Sequence, residues 1–520
     1  MRAAIALLGA LCLPAVALAG PGGDPRQALL AAMEAELDRS TAKLRLEDHE
    51  APYFISHRLV ERDEVAVEAR FGALLFDATE QARVAAVDVR VGSYRFDSSE
   101  KPEDMLLFEP MDGFRPSKAV PLDDDPEAIQ ATLWLLTDRA YKNALSTFLQ
   151  KKAKKVTEVE DKHVDSFSKA PAVKHVDDAA KLAVDRARWR QLARTLSARF
   201  RGRDLLDGSV RISADHDRTY LVNSEGTRLI AERIIYQIAF HAVGQAPDGM
   251  LLEQGATLYG RRWDELPDEA ALVAQVDEAI ANLEALAKAP VADPYTGPAI
   301  LEPEATGVFF HEAVGHRLEG ERQNDEKEGR TFKGQIGQRI LPEFLTVRDD
   351  PTTPRYADQG LNGWYRFDDE GVAAQNTFLV QNGVLKAFLT SRTPVEGTAA
   401  SNGHGRAQGT HRPMARMGNL IVEGAKAGTV SRKKLKAMLL DEVRKQGKPY
   451  GLIVRDITGG NTNTSSYGYQ AFKGIPRMVY RVDAKTGTET LVRGVEMVGT
   501  PLTVVSKVKA VSDEMGVFNG

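Results

Sequence analysis

Cysteine is almost missing: the 520 residues contain one, Cys12. No disulfide framework and no cysteine-ligated metal site can form from the residues given, so the fold must rest on its cores. Charge of one sign is missing too. With 68 basic against 73 acidic residues the net charge is −5, which excludes a nucleic-acid binder driven by phosphate contacts, and no nucleic-acid partner is expected. Beyond the first twenty residues no stretch is long and apolar enough to cross a bilayer, so no transmembrane segment is expected. There is no fixed-period repeat, no phosphate-binding P-loop and no Gly-x-Ser-x-Gly elbow. The segment Gly403–Gly409 comes near a dinucleotide loop but lacks the strand–helix context.

What is present begins with Arg2, an apolar run from Ala3 to Ala17, and Ala17-Leu18-Ala19. That is the layout of a secretory signal, too short for a permanent span, and it predicts cleavage after Ala19 and export to the periplasm or beyond. A lipoprotein anchor at Cys12 is disfavoured by the bulky Leu11 before it. The remainder, 43% hydrophobic and 27% charged over the whole chain, has the composition of a globular protein of two large domains. The expected fold class is α+β. Residues 20–296 read as an N-terminal α/β domain, with helices over about 25–46, 126–156, 179–200 and 267–288. Strand-like runs lie between residues 53 and 96, where they predict an antiparallel meander, and at 209–213, 219–223 and 227–241. Beyond Pro290–Gly297 the texture turns to short apolar runs and frequent glycines, with 433–446 the main helix. A strand-dominated C-terminal domain is expected over residues 297–520.

Within that second domain lies His311-Glu312-Ala313-Val314-Gly315-His316, on a segment whose Phe310, Ala313, Val314 and Leu318 fall at helical spacing between Pro303 and Gly320. Neutral imidazole is a good zinc ligand, and an adjacent carboxylate can take a proton from an activated water. The pattern is the His-Glu-x-x-His helix with one residue added. That residue matters. At about 100° per residue, side chains four apart diverge by about 40°, but side chains five apart by about 140°. The spacing therefore predicts a widened or kinked turn, a π-bulge, with Gly315 easing it. Spacing alone leaves a second reading open, in which both histidines are satisfied in or beside a core and Glu312 faces solvent.

The segment His311–Gly320 closely resembles the signature of the TldD/PmbA family, on its TldD metallopeptidase branch. Gly334-Gln335-Ile336-Gly337, Asp368-Asp369-Glu370-Gly371 and Val380–Leu385 are similar to further elements of that family, in the same order. So are Asn402–Arg406 with Pro413–Met417, and Val492-Arg493-Gly494 with Gly499-Thr500-Pro501. The likeness is specific over residues 297–520. It is looser before them, where Val222–Gly226 matches best.

The resemblance implies a C-terminal domain built on a strongly curved antiparallel β-sheet, and a homodimer or a heterodimer with a related family member. It implies a zinc-dependent peptidase acting on flexible or unfolded peptides, with Zn2+ held by His311 and His316 and with Glu312 as general base. It also implies a cysteine as third ligand, a residue or two after a segment like Met515–Gly520. Either the sequence stops short of that cysteine or another donor replaces it, the in-chain candidates being Glu319, His404 and His411. By the same comparison His404, Arg406, Gly459 and Gly460 are expected to line the substrate, although Gly459–Gly468 also reads as a polar surface turn. A non-catalytic partner or peptide-binding scaffold with an incomplete zinc site is the alternative.

Overall fold

The computed structural model describes residues 24–99, 117–155, 164–325, 328–465 and 470–519. The expected signal at residues 1–19 and part of the polar connection before residue 117 lie outside the described residues, as do residues 466–468 of the glycine-rich loop.

Four long strands dominate the first half: β1 (Pro52–Arg70), β2 (Ala73–Val91), and, after the short β3 (Ser117–Ala119) and β4 (Lys174–Val176), β5 (Asp207–Asn223) and β6 (Arg228–Gln245). With β7 (Leu251–Gly260) they form a seven-stranded sheet in the order β3-β2-β1-β5-β6-β4, β7 also pairing with β6. All pairings are antiparallel except β4 with β6. Side chains alternate across a strand, and here the alternation assigns each face a task. Leu59, Val67 and Ala85 share one face with Ile212, Val222, Ile238 and Ala242, and two helix pairs cover that face end to end. Helices Pro25–Lys43 and Pro126–Lys155 close one core, with Met33, Leu37, Leu133 and Tyr141 buried. Helices Arg186–Ala198 and Glu269–Lys288 close the other around Trp189, Leu196 and Ile280.

The opposite face carries Phe54, Arg58 and Leu221 and meets the C-terminal half. Arginines make much of this junction by donating to main-chain carbonyls. Arg58 donates to the carbonyls of Gly409 and His411, both at 2.9 Å. Arg261 reaches Leu361 at 3.0 Å, Arg477 reaches Gly255 at 2.6 Å, and Arg392 reaches Ser168 at 2.6 Å.

Past residue 297 the strands fall into a four-stranded sheet, centred on Leu345–Asp349 and Thr377–Gln381, and a five-stranded one built on Tyr450–Thr462 and Phe472–Asp483. Three two-stranded ribbons accompany them. Helix Pro303–Ala313 packs on strand Tyr450–Thr462, burying Phe309 and Phe310 beside Phe472 and Leu420. The fold is thus α+β with mainly antiparallel sheets. Among the described residues no helix is long and apolar enough to cross a membrane.

Candidate metal centre

The motif helix opens with Pro303 at its first turn and buries Ala305, Val308, Phe309, Phe310, Glu312 and Ala313. Of the widened or kinked turn that the spacing predicted, the structure shows the kinked form: there is no π-bulge, and the helix stops at Ala313. Val314 leaves helical geometry at φ −121°, ψ −54°, and Gly315–Leu318 continues as a tight 3-10 turn. Gly315 lets Met417 pack close against this turn: a Cβ would lie 2.2 Å from the Met417 sulfur and would push that flexible side chain aside. The break achieves what a bulge would have done: the rings of His311 and His316 lie 4.6 Å apart, edge to face at 86°.

Between them sits Glu312, its Oε1 4.0 Å from His311 Nε2 and its Oε2 3.8 Å from His316 Nε2. Among the described residues these three side chains form the one grouping of at least three His, Cys, Asp or Glu with ligand atoms close enough to share an ion, all within 4.8 Å. Although 46% of the His311 side chain is exposed, desolvation by its surroundings, aided by the neighbouring His316, pushes the imidazole down to about 4, which favours the neutral ring with a lone pair that can bind an ion. Burial also raises the Glu312 carboxyl above its ordinary range, against the pull of His316 and Arg317. Glu312 Oε2 is buried with no hydrogen-bond partner. A buried, unsatisfied carboxylate oxygen is costly, and its presence between two imidazoles fits a site that takes a cation and a water.

The surroundings hold this arrangement. Arg317, almost fully buried, donates to the Glu312 carbonyl at 2.7 Å, to Thr462 Oγ1 at 2.9 Å and to the Asn463 carbonyl at 3.3 Å. It thereby ties the motif to the end of strand Tyr450–Thr462, and burial lowers its guanidinium to about 10. His316 Nδ1 lies 2.9 Å from Glu319 Oε1. A cleft of about 2510 Å³ opens in front of His311 and Glu312, lined also by Gly459, Gly460 and the segment Met515–Asn519.

The other expected site residues divide. Gly459 and Gly460 line the cleft. His404 does not: it is fully buried, with Nδ1 2.9 Å from the Asn402 carbonyl and Nε2 3.2 Å from Asp349 Oδ1, away from the cleft lining and outside the donor group. Arg406 is withdrawn from the cleft as well, paired with Asp369 at 3.1 Å and stacked 4.0 Å from the Tyr365 ring. Of the third-ligand candidates, Glu319 spends its carboxylate on His316, Arg322 and Arg416. His411 lies outside the donor group. Arg317 was not anticipated, nor was the Glu319 hydrogen bond to His316, although the i,i+3 spacing of His316 and Glu319 carries the signal for the latter.

Comparison with known proteins concerns mainly the half of the chain that carries this site. Residues 294–520 match the PmbA/TldA metallopeptidase C-terminal domain. A metalloprotease of Methanocaldococcus jannaschii is 34% identical over 218 residues, 41% of this chain and 43% of that protein. A protein described as a metalloprotease TldD homolog in Haemophilus influenzae is 30% identical over 241 residues, 46% of this chain and 44% of its own. The matched region thus spans less than half the length of these relatives. In fold the likeness runs further. TldE from Thermococcus kodakarensis superposes with a TM-score of 0.60 at 15% identity, over 94% of this chain and 96% of its own. A Thermotoga maritima protein described as a modulator of a DNA gyrase gives 0.63 at 15% identity over the same shares.

These relatives also correct one expectation. The reading of an exported, periplasmic protein with a signal peptide is not upheld, since the matched metalloproteases include archaeal ones and none is described as exported or periplasmic. The C-terminal part, residues 294–520, thus carries the domain that characterises the TldD/PmbA family, and the chain as a whole shares its fold with TldE.

Proposed function

We propose that this chain is a zinc-dependent peptidase acting on flexible or unfolded peptide segments. The observation that carries the reading is the unpartnered, buried Glu312 Oε2 set between the two imidazoles at the wall of an open cleft. Relatives described as metalloproteases support it, one of them, from Saccharolobus solfataricus, described as a zinc metalloprotease TldD homolog.

In this proposal His311 and His316 hold the ion. A bound zinc supplies Lewis acidity, polarising a scissile carbonyl and making water acidic enough to attack near neutral pH. Glu312, with one oxygen free and its carboxyl raised by burial, accepts the water's proton and returns it to the leaving amine. The substrate is placed by the main chain. Strand Tyr450–Thr462 pairs with Ala299–Leu301 only through Leu452–Val454, and past that point Thr458, Gly459 and Gly460 line the cleft. An extended peptide adding a strand along this edge would be recognised by its backbone rather than its sequence. The proposal includes a domain boundary near residue 297 and assembly as a homodimer or a heterodimer with a related chain.

The test is Glu312→Gln beside His316→Ala. The first should retain stoichiometric zinc while losing hydrolysis of an unstructured peptide, and the second should lose the zinc. Undiminished hydrolysis by Glu312→Gln refutes the role given to that carboxylate. Wild-type protein that takes up no zinc turns the balance to a non-catalytic scaffold.

A further inference from the structure

The two imidazoles of the centre are neighbours held in different ways. The His311 ring makes no hydrogen bond among the described residues, and its side chain is 46% exposed. His316 is gripped. Its Nδ1 faces Oε1 of Glu319 at 2.9 Å, and Glu319 is itself only 1% exposed. Both Glu319 oxygens accept further bonds: Oε2 from Arg322 Nε at 2.7 Å, and both from Arg416 Nη1 at 3.2 Å. Arg322 is fixed in turn by Glu328 Oε1 at 2.7 Å and Thr464 Oγ1 at 3.0 Å. The main chain on either side is pinned too, with Gly320 N donating to the Leu389 carbonyl and Leu389 N to the Leu318 carbonyl, each at 2.8 Å.

We propose that Glu319 is a positioning residue that fixes the tautomer and rotation of His316, leaving Nε2 as the nitrogen that faces the ion. A carboxylate between two arginines offers only acceptors. The imidazole nitrogen opposite must therefore donate, and in a neutral ring the lone pair then sits on the other nitrogen. That nitrogen, Nε2, is the one turned toward Glu312. Carboxylates behind metal-bound histidines act in this way, setting ring orientation and raising ligand basicity. His311, with no such partner, is the adjustable member of the pair. The assignment of the tautomer stands on the side chains alone; its consequence for metal affinity rests on the zinc reading above.

The experiment has two arms, both on the full-length chain. In metal-free protein with 15N-labelled histidine, the His316 signals are identified by their loss in His316→Gln. They should show Nδ1 protonated and Nε2 bare; a ring protonated at Nε2, or averaging between tautomers, overturns the proposal. In the second arm zinc affinity is measured by competition with a chromophoric chelator. Glu319→Gln keeps an acceptor and should weaken binding by about 10-fold, and Glu319→Ala by up to about 100-fold. Wild-type affinity in either folded variant overturns the proposal. Should the alanine variant not fold, the glutamine variant and the wild-type tautomer decide. A wild-type chain that shows protonated Nδ1 yet binds no zinc refutes the zinc reading while supporting the Glu319–His316 pairing.

Discussion

Gly460 offers a sharp test of how the centre is held, because its missing side chain is what leaves room for Glu312. A Cβ at this position would lie 2.7 Å from Glu312 Cγ, 2.8 Å from the Lys473 carbonyl oxygen and 3.0 Å from Val308 Cγ1. Carbon atoms rest comfortably about 3.5–4.0 Å apart, so Gly460→Ala requires a shift of about 1 Å somewhere. The Lys473 oxygen belongs to the paired strand, where Asn461 opposes Lys473 and Gly460 opposes Gly474, and it has little freedom. The Glu312 side chain, with an unsatisfied oxygen, gives way first. Overpacking of this kind costs about 1–3 kcal/mol, and a misplacement of about 1 Å at a reacting group costs on the order of a hundred-fold in rate. The matched control is next door: a Cβ on Gly459 meets nothing within 4 Å. Thermal melts and hydrolysis of a quenched-fluorescent unstructured peptide, on zinc-loaded protein, read both terms. Gly460→Ala should lose about two orders of magnitude in kcat/KM and melt lower, while Gly459→Ala melts as wild type. Wild-type turnover by Gly460→Ala refutes the view that this glycine sets the position of Glu312.

Two further outcomes follow from other parts of the site's surroundings. Arg317→Met strips donors from the Glu312 carbonyl, Thr462 and Asn463; at about 1.5–3 kcal/mol per charged hydrogen bond it should lower urea-unfolding stability by about 3 kcal/mol or more, and Arg317→Lys should recover part of that. Glu370 is half-buried and its carboxyl is pushed up to about 8, with desolvation the main cause and Asp368 adding to it. An acid whose folded pKa is raised holds its proton more tightly when folded, so its stabilising contribution is complete below the ordinary carboxyl value and disappears as pH rises toward 8. Glu370→Gln should flatten the fall in melting temperature between about pH 4.5 and pH 8, and an unchanged slope would show that this group does not titrate there. Some slope should survive the substitution, because Asp368 is shifted in the same direction, to about 6.

Much of the fold could be read from local signals. The helices at Pro25, Glu269 and Arg432 each begin at a residue whose side chain accepts from the first turn, Asp24, Asp268 and Ser431, and such caps are written in the sequence. The departures have tertiary causes. The helix expected from residue 179 begins at Arg186, because the chain before it is held extended: Ala180 N donates to Glu232 and Ala183 N to the Tyr236 hydroxyl. The strand pieces at 209–213 and 219–223 are one strand, because the polar stretch between them is satisfied by its neighbours, His216 by Glu232 and Asp217 by Arg62.

At the centre the sequence carried the donors and not their supports. His311, Glu312 and His316 were legible by residue type and spacing, but the packing of Met417, a hundred residues away, against the turn at Gly315 was not. His404, flanked by glycines, was expected to line the substrate or to serve as a third ligand. Its partner Asp349 lies on a distant strand, and that pairing is what draws the ring into the interior.

The arginine contacts at the junction bear on how this architecture persists. Because Arg58, Arg261, Arg392 and Arg477 are received by peptide oxygens, the contacts do not read the side chains of Ser168, Leu361 and His411, and those receiving positions can exchange one amino acid for another without cost to the contact. The donors are constrained by chemistry, and two acceptors by their backbone: Gly255 has no room for a Cβ, and Gly409 sits at φ +57°. A seam of this kind is one way for two chains to agree in shape over 94% of their length while sharing 15% of their residues.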